Sequence, residues 1–487
     1  MAPRKKCPHS DLTFQVSSHA DEAGFQREDW RRRHAATVPS GRAPPKNRGT
    51  SEPSDSSPPQ GQDDSSLDSL FPAPLVLPGD DLALDPTCPP QSLASWLRGK
   101  HRNKFTPARK TLYVASVPTF SQDAAMMEDW TRPKLEGVKG ANKARASAPD
   151  HLAPPNPDDI REYLEAFYHG IPVKMFNETL EFTTWESGQK NRAKKDTASS
   201  FIGLRCGSSC TRIRARPCPD GTYAKQLNLD DILDAAITAL PEDAYAILFL
   251  VGHDLYEDDD DDFGCGRAYG GSRVAVVSSA RYNPALLLSS GADGIDLDHT
   301  WPASHCMSYV ARLCGSATAP RGKKRRRDEQ EAKPAASPLH YALHASRCSS
   351  GDAAAEGLNT SSSLGGLWLC LLARTASHEL GHCLGIGHCV YYACVMQGTA
   401  GMAEDCRQPP YLCPVCLKKL TNAAREATTS SSSSSSSDSF EEIGYVIGNY
   451  QALARFCDKW RQVGMFAGYK AWLDNMAGQL RGGSFTL

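Results

Sequence analysis

The amino-acid sequence predicts an α/β (α+β) fold with a mixed sheet, one long buried helix and a helical C-terminal part. Strand segments alternate with amphipathic helical segments from about residue 110 onward, an order that is typical of an α/β layer. Residues 244–251, AYAILFLV, are continuously apolar, as in a strand that is buried on both faces. Residues 365–383 are apolar over a length that suits a buried helix.

The folded part begins with a strand, because residues 112–118, LYVASVP, alternate in polarity and end on a proline. DDIREYLEAFYHG predicts a helix, since its apolar residues recur at helical spacing, and the strand IPVKMF follows it. LNLDDILDAAITAL predicts a second amphipathic helix, which leads into the buried strand AYAILFLVGHDLY. A further strand, RVAVVSSARY, precedes the long helix, and a C-terminal helix carries Tyr445, Leu453, Phe456 and Trp460.

The chain divides into an N-terminal region, residues 1–108, and a folded domain, residues 109–480. The segment RAPPKNRGTSEPSDSSPPQGQDDSS has almost no aliphatic side chains, so it cannot bury enough surface to offset the entropy lost on ordering. We therefore expect residues 1–108 to be disordered. Low-complexity insertions are expected to interrupt the domain near residues 121–156, 257–262, 316–340 and 428–438.

Overall charge gives no reason to expect binding to nucleic acid or to an anionic membrane, since the 487 residues carry a formal net charge of -2. No segment reaches the roughly 18 apolar residues that a membrane span requires, and the N-terminus has no apolar run behind its basic start. The sequence predicts a monomeric, non-secreted protein of the cytoplasm, the nucleus or both. The basic segment KKRRR, residues 323–327, fits either a nuclear import signal or a solvated loop.

The cysteines point to metal binding. Seven of the 17 cysteines fall between Cys370 and Cys416, around a group of histidines, a pattern that in a reducing compartment favours metal ligation over disulfides. Cys206, Cys210 and Cys218 lack a paired C-x-x-C or a histidine that would complete a site, so we expect them to be free thiols.

The segment SHELGHCLGIGHC has the ligand spacing of a zinc hydrolase. His378 and His382 lie four residues apart, so a helix places both imidazoles on one face. Glu379 lies on the neighbouring face, where it can accept a proton from a zinc-bound water without being a ligand. Gly385 can end the helix in the left-handed conformation, and the chain then turns back to offer His388. Three imidazoles leave a fourth position open for water.

The pattern HELGHCLGIGH resembles the H-E-x-x-H-x-x-G-x-x-H motif of the metzincin metalloproteases. The residues that follow it are similar to those of the archaemetzincin family. Cys389 and Cys394 stand in C-x4-C spacing and precede Met396, and Cys413 and Cys416 stand in CPVC.

This resemblance implies a metzincin-like zincin catalytic domain with a mixed sheet, an active-site helix and a helical C-terminal subdomain. It implies two zinc ions per chain, a catalytic one on the three histidines and a structural one on the four cysteines, with Met396 packing beneath the catalytic site. Cys383 and Cys406 lie near these four cysteines in the sequence, so one of the four ligand assignments stays open. Upstream, HDLYEDDDDDFGCGRAYGGSRVAVVSSARY resembles a family stretch with a turn and an edge strand that could pair with a peptide.

The expected function is hydrolysis of peptide bonds in a peptide or protein substrate, and the resemblance implies that the activity is aminopeptidase-like. The alternative is an inactive, zinc-stapled module that binds a peptide or a protein in the same cleft. Glu379 favours the enzyme, because a carboxylate next to the ligands is needed for chemistry and has no use in a purely structural site.

Overall fold

The computed structural model describes residues 7, 9, 11–43, 65–135, 152–185, 200–289, 295–315, 337–349, 361–429 and 440–483. The helices are α1 (His19–Ala23), α2 (Trp30–Thr37), α3 (Ser65–Leu70), α4 (Asp81–Leu84), α5 (Leu93–Leu97), α6 (Pro157–Phe167), α7 (Leu229–Ala239), α8 (Pro284–Ser289), α9 (Met307–Leu313), α10 (Pro338–Ser349), α11 (Ser361–Cys383), α12 (Met402–Asp405), α13 (Pro414–Thr429), α14 (Glu442–Lys459) and α15 (Gly464–Arg481). The strands are β1 (Thr111–Ala115), β2 (Thr119–Phe120), β3 (Val173–Met175), β4 (Leu180–Thr184), β5 (Ser200–Cys206), β6 (Ser209–Pro217), β7 (Lys225–Asn228), β8 (Ala244–Val251), β9 (Asp254–Tyr256), β10 (Gly266–Tyr269) and β11 (Val274–Ser278).

The main sheet has the order β10-β11-β8-β1-β3. β8 pairs in parallel with β1 and β11, and β1 pairs in parallel with β3. β10 is antiparallel to β11, so the sheet is mixed, as the sequence predicts. Every residue of β8 is buried, which confirms the prediction from its continuous apolar run. The strand after the turn at Gly270 and Gly271, β11, lies inside the sheet, and β10 is the edge.

A second sheet, which the sequence analysis did not predict, has the order β2-β4-β5-β6-β7-β9. β4 through β7 form an antiparallel series, and β5 and β6 pair from Ser200 with Ala215 to Cys206 with Ser209. Helix α7 shares a hydrophobic cluster with this sheet and one face of the main sheet, and that cluster includes Ile213, Ile232 and Phe249. The opposite face of the main sheet packs against α6 and α11.

Helix α11 runs through the centre of the largest hydrophobic cluster, which also contains side chains from α13, α14 and α15. The helical C-terminal part predicted from the sequence is therefore present, with α14 and α15 packed against each other and α15 against α10. No helix among the described residues is long and apolar enough to cross a membrane.

The predicted disorder of residues 1–108 is wrong for 11–43 and 65–108, where the chain forms α1 to α5 and buries Phe71 and Trp96. The region buries many apolar residues, and the partners of several of them lie hundreds of residues further along the chain. Phe71 contacts Tyr411 and Trp472 edge-on, and the indole N–H of Trp96 donates to the Leu384 carbonyl at 3.0 Å. Residues 1–6, 8, 10 and 44–64 lie outside the described residues.

Only parts of the predicted insertions lie among the described residues. The first begins with a 3-10 helix, Gln122–Thr131, which buries Ala124 and Met127 and so belongs to the folded core. Residues 257–262 form the connection between β9 and β10, and Arg216 donates to the carbonyls of Asp258 and Asp259 there, at 3.1 Å each. Residues 136–151, 316–336 and 430–439 lie outside the described residues.

Candidate metal centre

Three histidines converge at the C-terminal end of α11. The helix places His378 and His382 on one face, and their Nε2 atoms are 2.9 Å apart. His388 joins them from the following turn, and the ligand nitrogens of the three imidazoles lie within 4.8 Å of one another. The sequence-predicted cluster is thus brought together in space.

The hydrogen bonds of two imidazoles leave their lone pairs facing each other. The Nδ1–H of His378 donates to the Val395 carbonyl at 2.6 Å, and that of His382 to the Ile386 carbonyl at 2.7 Å. Each Nε2 therefore carries a lone pair, an arrangement that backbone carbonyls commonly impose on metal-binding histidines. Burial also lowers the pKa of both rings, that of His382 to about 4, which keeps them neutral. This donor set fits a divalent cation such as zinc.

The turn after α11 depends on Gly385. Its φ of 78° is in the left-handed region, and the Ile386 N–H donates back to the Gly381 carbonyl at 3.0 Å, which closes the helix and redirects the chain toward His388. Gln91 supports this turn from the N-terminal region, donating to the Gly385 carbonyl and accepting from the Gly387 N–H, at 3.0 Å each. Sequence reasoning missed Gln91 because it lies in the region predicted to be disordered.

Glu379 is held against the edge strand beside the histidines. Its side chain is 7% exposed, and a Cβ on Gly266 of β10 would lie 3.0 Å from its Cγ, so a glycine is needed there for this close approach. Burial raises the pKa of Glu379 to about 8, although the positive charge of Arg267 acts in the opposite direction. A cation on the histidines would lower that pKa, and a carboxylate in this position is suited to accept and return a proton.

A cleft of about 1040 Å³ opens in front of the histidines. One wall is the segment from Asp260 to Gly270, which contains β10, and the other is the segment from Gln397 to Gln408 together with Pro78–Asp80. β10 is the edge of the main sheet, and its residues Gly266 to Tyr269 line the cleft.

Gly270 lets the turn after β10 pack closely against α11. A Cβ there would lie 2.5 Å from the carbonyl oxygen of His382, a backbone atom that cannot move without distorting the helix. We expect Gly270→Ala to lower the free energy of unfolding by about 1–3 kcal/mol, measured by urea denaturation. Gly271→Ala is the matched control, since a Cβ there meets no atom within 4 Å, and equal losses from the two variants would contradict the clash.

Met396 packs beneath the histidine helix, as the family resemblance implies. It is fully buried, and a Cβ on Gly381 would lie 2.6 Å from its sulfur, so the missing side chain at Gly381 makes room for the thioether. The Met396 carbonyl accepts from the Cys389 N–H at 2.7 Å, which ties this turn to the residue after His388.

The four predicted cysteines also meet. Cys389, Cys394, Cys413 and Cys416 are all buried, and their sulfurs lie within 4.8 Å of one another. The Cys389 and Cys413 sulfurs are 3.5 Å apart, and the Cys394 sulfur accepts from the Cys413 N–H at 3.3 Å. Cys383 and Cys406 are buried elsewhere and do not belong to this group. Four thiolates in a closed cluster are a donor set typical of structural zinc.

A buried polar network behind the histidines was missed by sequence reasoning. Arg374, one turn before His378, is fully buried in an ion pair with Asp405. The Tyr282 hydroxyl lies 2.7 Å from the Thr375 hydroxyl and donates to Asp405 at 3.2 Å. The charge at position 374 in an otherwise apolar helix was the available signal, because a buried arginine requires a partner.

Comparison with known proteins supports the resemblance. The model of peptidase family M54 matches residues 366–422. Archaemetzincin-2 of Mus musculus is 23% identical over 334 residues, which are 69% of this chain and 65% of that protein. Archaemetzincin-1 of Rattus norvegicus is 29% identical over 228 residues, 45% of this chain and 36% of that protein. The chain thus spans less than two thirds of the length of these relatives.

Among solved structures, an archaemetzincin from Methanopyrus kandleri is 15% identical, with a TM-score of 0.28, and the match covers 65% of this chain and 97% of that one. A zinc-dependent peptidase from Methanocorpusculum labreanum is 14% identical, with a TM-score of 0.27, covering 63% and 99%. By its family model and its curated relatives, the chain is similar to the archaemetzincins, peptidase family M54.

Proposed function

We propose that the protein is a zinc metallopeptidase of metzincin-like architecture. The observation that carries the proposal is the convergence of three imidazoles, two of them with lone pairs fixed by backbone carbonyls, beside a buried carboxylate at the edge of a cleft. His378, His382 and His388 would hold the ion. Zinc bound there would polarise the scissile carbonyl and lower the pKa of a water.

Glu379 is the proton carrier in this proposal. It is not a member of the histidine cluster, yet it follows His378 directly and lies between the helix and β10. From that place its carboxylate takes the proton of the attacking water and returns it to the nitrogen of the leaving amine. The burial that raises its pKa also strengthens its basicity toward that water.

The edge strand would align the substrate. β10 bonds to β11 on one side, is the edge of the main sheet and lines the cleft, so an extended peptide could add to it as a further strand. Main-chain hydrogen bonds would then supply affinity without demanding a particular sequence. Two exposed carboxylates that line the cleft, Asp260 and Asp262, are suited to receive a free α-amino group, which supports an aminopeptidase-like activity.

A second, structural zinc on the four cysteines forms part of the proposal. Cys389 and Cys394 flank the turn that follows His388, whereas Cys413 and Cys416 stand at the start of α13. An ion bound by all four would fasten that turn, and Met396 just after it, to α13. The thiolate site would thereby keep His388 in place.

The test is a peptide-library cleavage assay with the purified chain, before and after treatment with a zinc chelator. We expect cleavage that chelation abolishes and added zinc restores. Matched libraries with free and acetylated N-termini distinguish aminopeptidase-like cleavage from cleavage at internal bonds. An aminopeptidase-like enzyme releases single residues from free N-termini only. Absence of cleavage with the zinc sites filled would favour the alternative, an inactive peptide-binding module.

A further inference from the structure

A third cluster of metal-ligating side chains lies apart from the two described above. It consists of Cys7 and His9 near the N-terminus and of His299 and Cys306 in the segment before α9, and the four ligand atoms lie within 4.8 Å of one another. The sulfurs of Cys7 and Cys306 are 3.2 Å apart. Two thiols and two imidazoles form one of the common donor sets of structural zinc.

His299 is oriented as a metal-binding histidine is. Its Nδ1 lies 2.9 Å from a carboxylate oxygen of Asp296, which fixes the proton on that nitrogen and leaves the lone pair on Nε2. The side chain is only 4% exposed, and its buried Nε2 has no conventional hydrogen-bond partner in the described part of the chain. The ring also stacks on Tyr309 at 4.1 Å, so its direction is set from two sides.

The ring of His9 reaches the same point from the N-terminal side. Its backbone has a φ of 50°, in the left-handed region that residues other than glycine uncommonly adopt. The His9 and His299 ring centroids are 4.8 Å apart, and the buried Nδ1 of His9 has no partner among the described residues.

The Cys306 sulfur completes the cluster from the domain side. It is 2% exposed and lies within 4.8 Å of each of the other three ligand atoms. The Ser308 hydroxyl lies 3.0 Å from the Cys7 sulfur and supports the same pair of thiols. Two sulfurs beside two imidazole nitrogens are a donor set that suits a soft divalent cation.

We propose that Cys7, His9, His299 and Cys306 bind a third zinc ion in a closed structural site. This site would fasten the N-terminal region to the domain across nearly 300 residues. The neighbouring backbone already pairs there, since the Thr13 N–H donates to the His305 carbonyl and the Met307 N–H to the Asp11 carbonyl, at 2.9 Å each. The same N-terminal region supplies Gln91 to the turn before His388 and Asp80 to the cleft wall.

The experiment measures zinc by mass spectrometry in the full-length chain after dialysis against metal-free buffer. We expect Cys7→Ser and His9→Gln each to hold one zinc fewer than the wild type. Cys314→Ser is the matched control, because Cys314 packs in the same hydrophobic cluster but is not among the four ligands, and it should lose none. Cobalt substitution gives a second readout, since the wild type should show more thiolate-to-cobalt absorption than Cys7→Ser.

Unchanged zinc content and cobalt spectra in both variants would overturn the proposal. So would a disulfide between Cys7 and Cys306 in the purified chain, which appears as a linked peptide that reduction separates. His9→Gln keeps the test decisive if one thiol variant fails to fold. This zinc measurement does not depend on peptidase activity. The Glu379→Gln variant should retain all of its zinc, whether or not the wild-type chain cleaves peptides.

Discussion

Replacing Glu379 with Gln is expected to lower kcat/KM for peptide hydrolysis by about 10³, within the range that a positioned general base contributes. The amide has nearly the shape of the carboxylate, so the contact with Gly266 and the burial beside the histidines remain. What it loses is the ability to take a proton from the attacking water. The measurement is the initial rate on the best library peptide, together with the zinc content of the same sample.

Glu165→Gln provides the matched control, because Glu165 is an exposed residue of α6 whose carboxylate pairs with Arg161 at 2.8 Å on the helix surface. Activity and zinc content should both stay at the wild-type level in this variant. If Glu379→Gln keeps its zinc and still cleaves at the wild-type rate, Glu379 is not the base. If it loses zinc, the carboxylate has a role in metal binding that the geometry does not indicate.

The histidine centre could be predicted from sequence because its information is local. His378 and His382 share a helix face whatever the rest of the chain does, and Gly385 marks the helix end that releases His388. The strands of the main sheet could also be predicted from the sequence, since β1, β3, β8 and β11 are each a continuous apolar or an alternating segment. In these elements, the local sequence pattern matches the burial of the side chains in the structure.

The folding of the N-terminal region could not be predicted from local patterns, because its stability comes from contacts between residues that are distant in sequence. The guanidinium of Arg33 forms an ion pair with Asp68 and donates to the Tyr392 hydroxyl, and Arg102 forms an ion pair with Glu426 at 2.9 Å. Proline, serine and charged residues dominate residues 42–66, and the prediction of disorder extended that composition to the whole region. The cluster around Cys306 was missed for the same reason, since half of its ligands lie at residues 7 and 9.

The second sheet did leave a local signal that was not used. β5 and β6 bury Ile202, Leu204, Ile213 and Ala215 at alternate positions, on either side of a tight turn at Gly207, whose φ is 56°. Alternating apolar residues around a glycine turn are typical of a β-hairpin. The many arginines of SFIGLRCGSSCTRIRARP obscured that period, since they occupy the exposed face.

Cys413→Ser is expected to reduce the zinc content by one ion per chain and to lower the free energy of unfolding by about 4–5 kcal/mol or more, as the loss of a structural metal does. The physical reason is that the remaining three thiols cannot close a tetrahedral site, and the buried cluster then keeps polar groups without a cation. Urea denaturation followed by circular dichroism, with zinc analysis of the folded protein, measures both effects. Hydrolysis should weaken as well, since His388 directly precedes Cys389.

The matched control for this variant is Cys457→Ser. Cys457 lies on α14 and is fully buried, like Cys413, but belongs to none of the metal-ligating groups among the described residues. Burying its serine hydroxyl should cost about 1–3 kcal/mol and leave the zinc content unchanged. The difference between the two variants therefore isolates the metal from the cost of a buried hydroxyl, and similar losses with full zinc in both would mean that Cys413 is only a packed thiol.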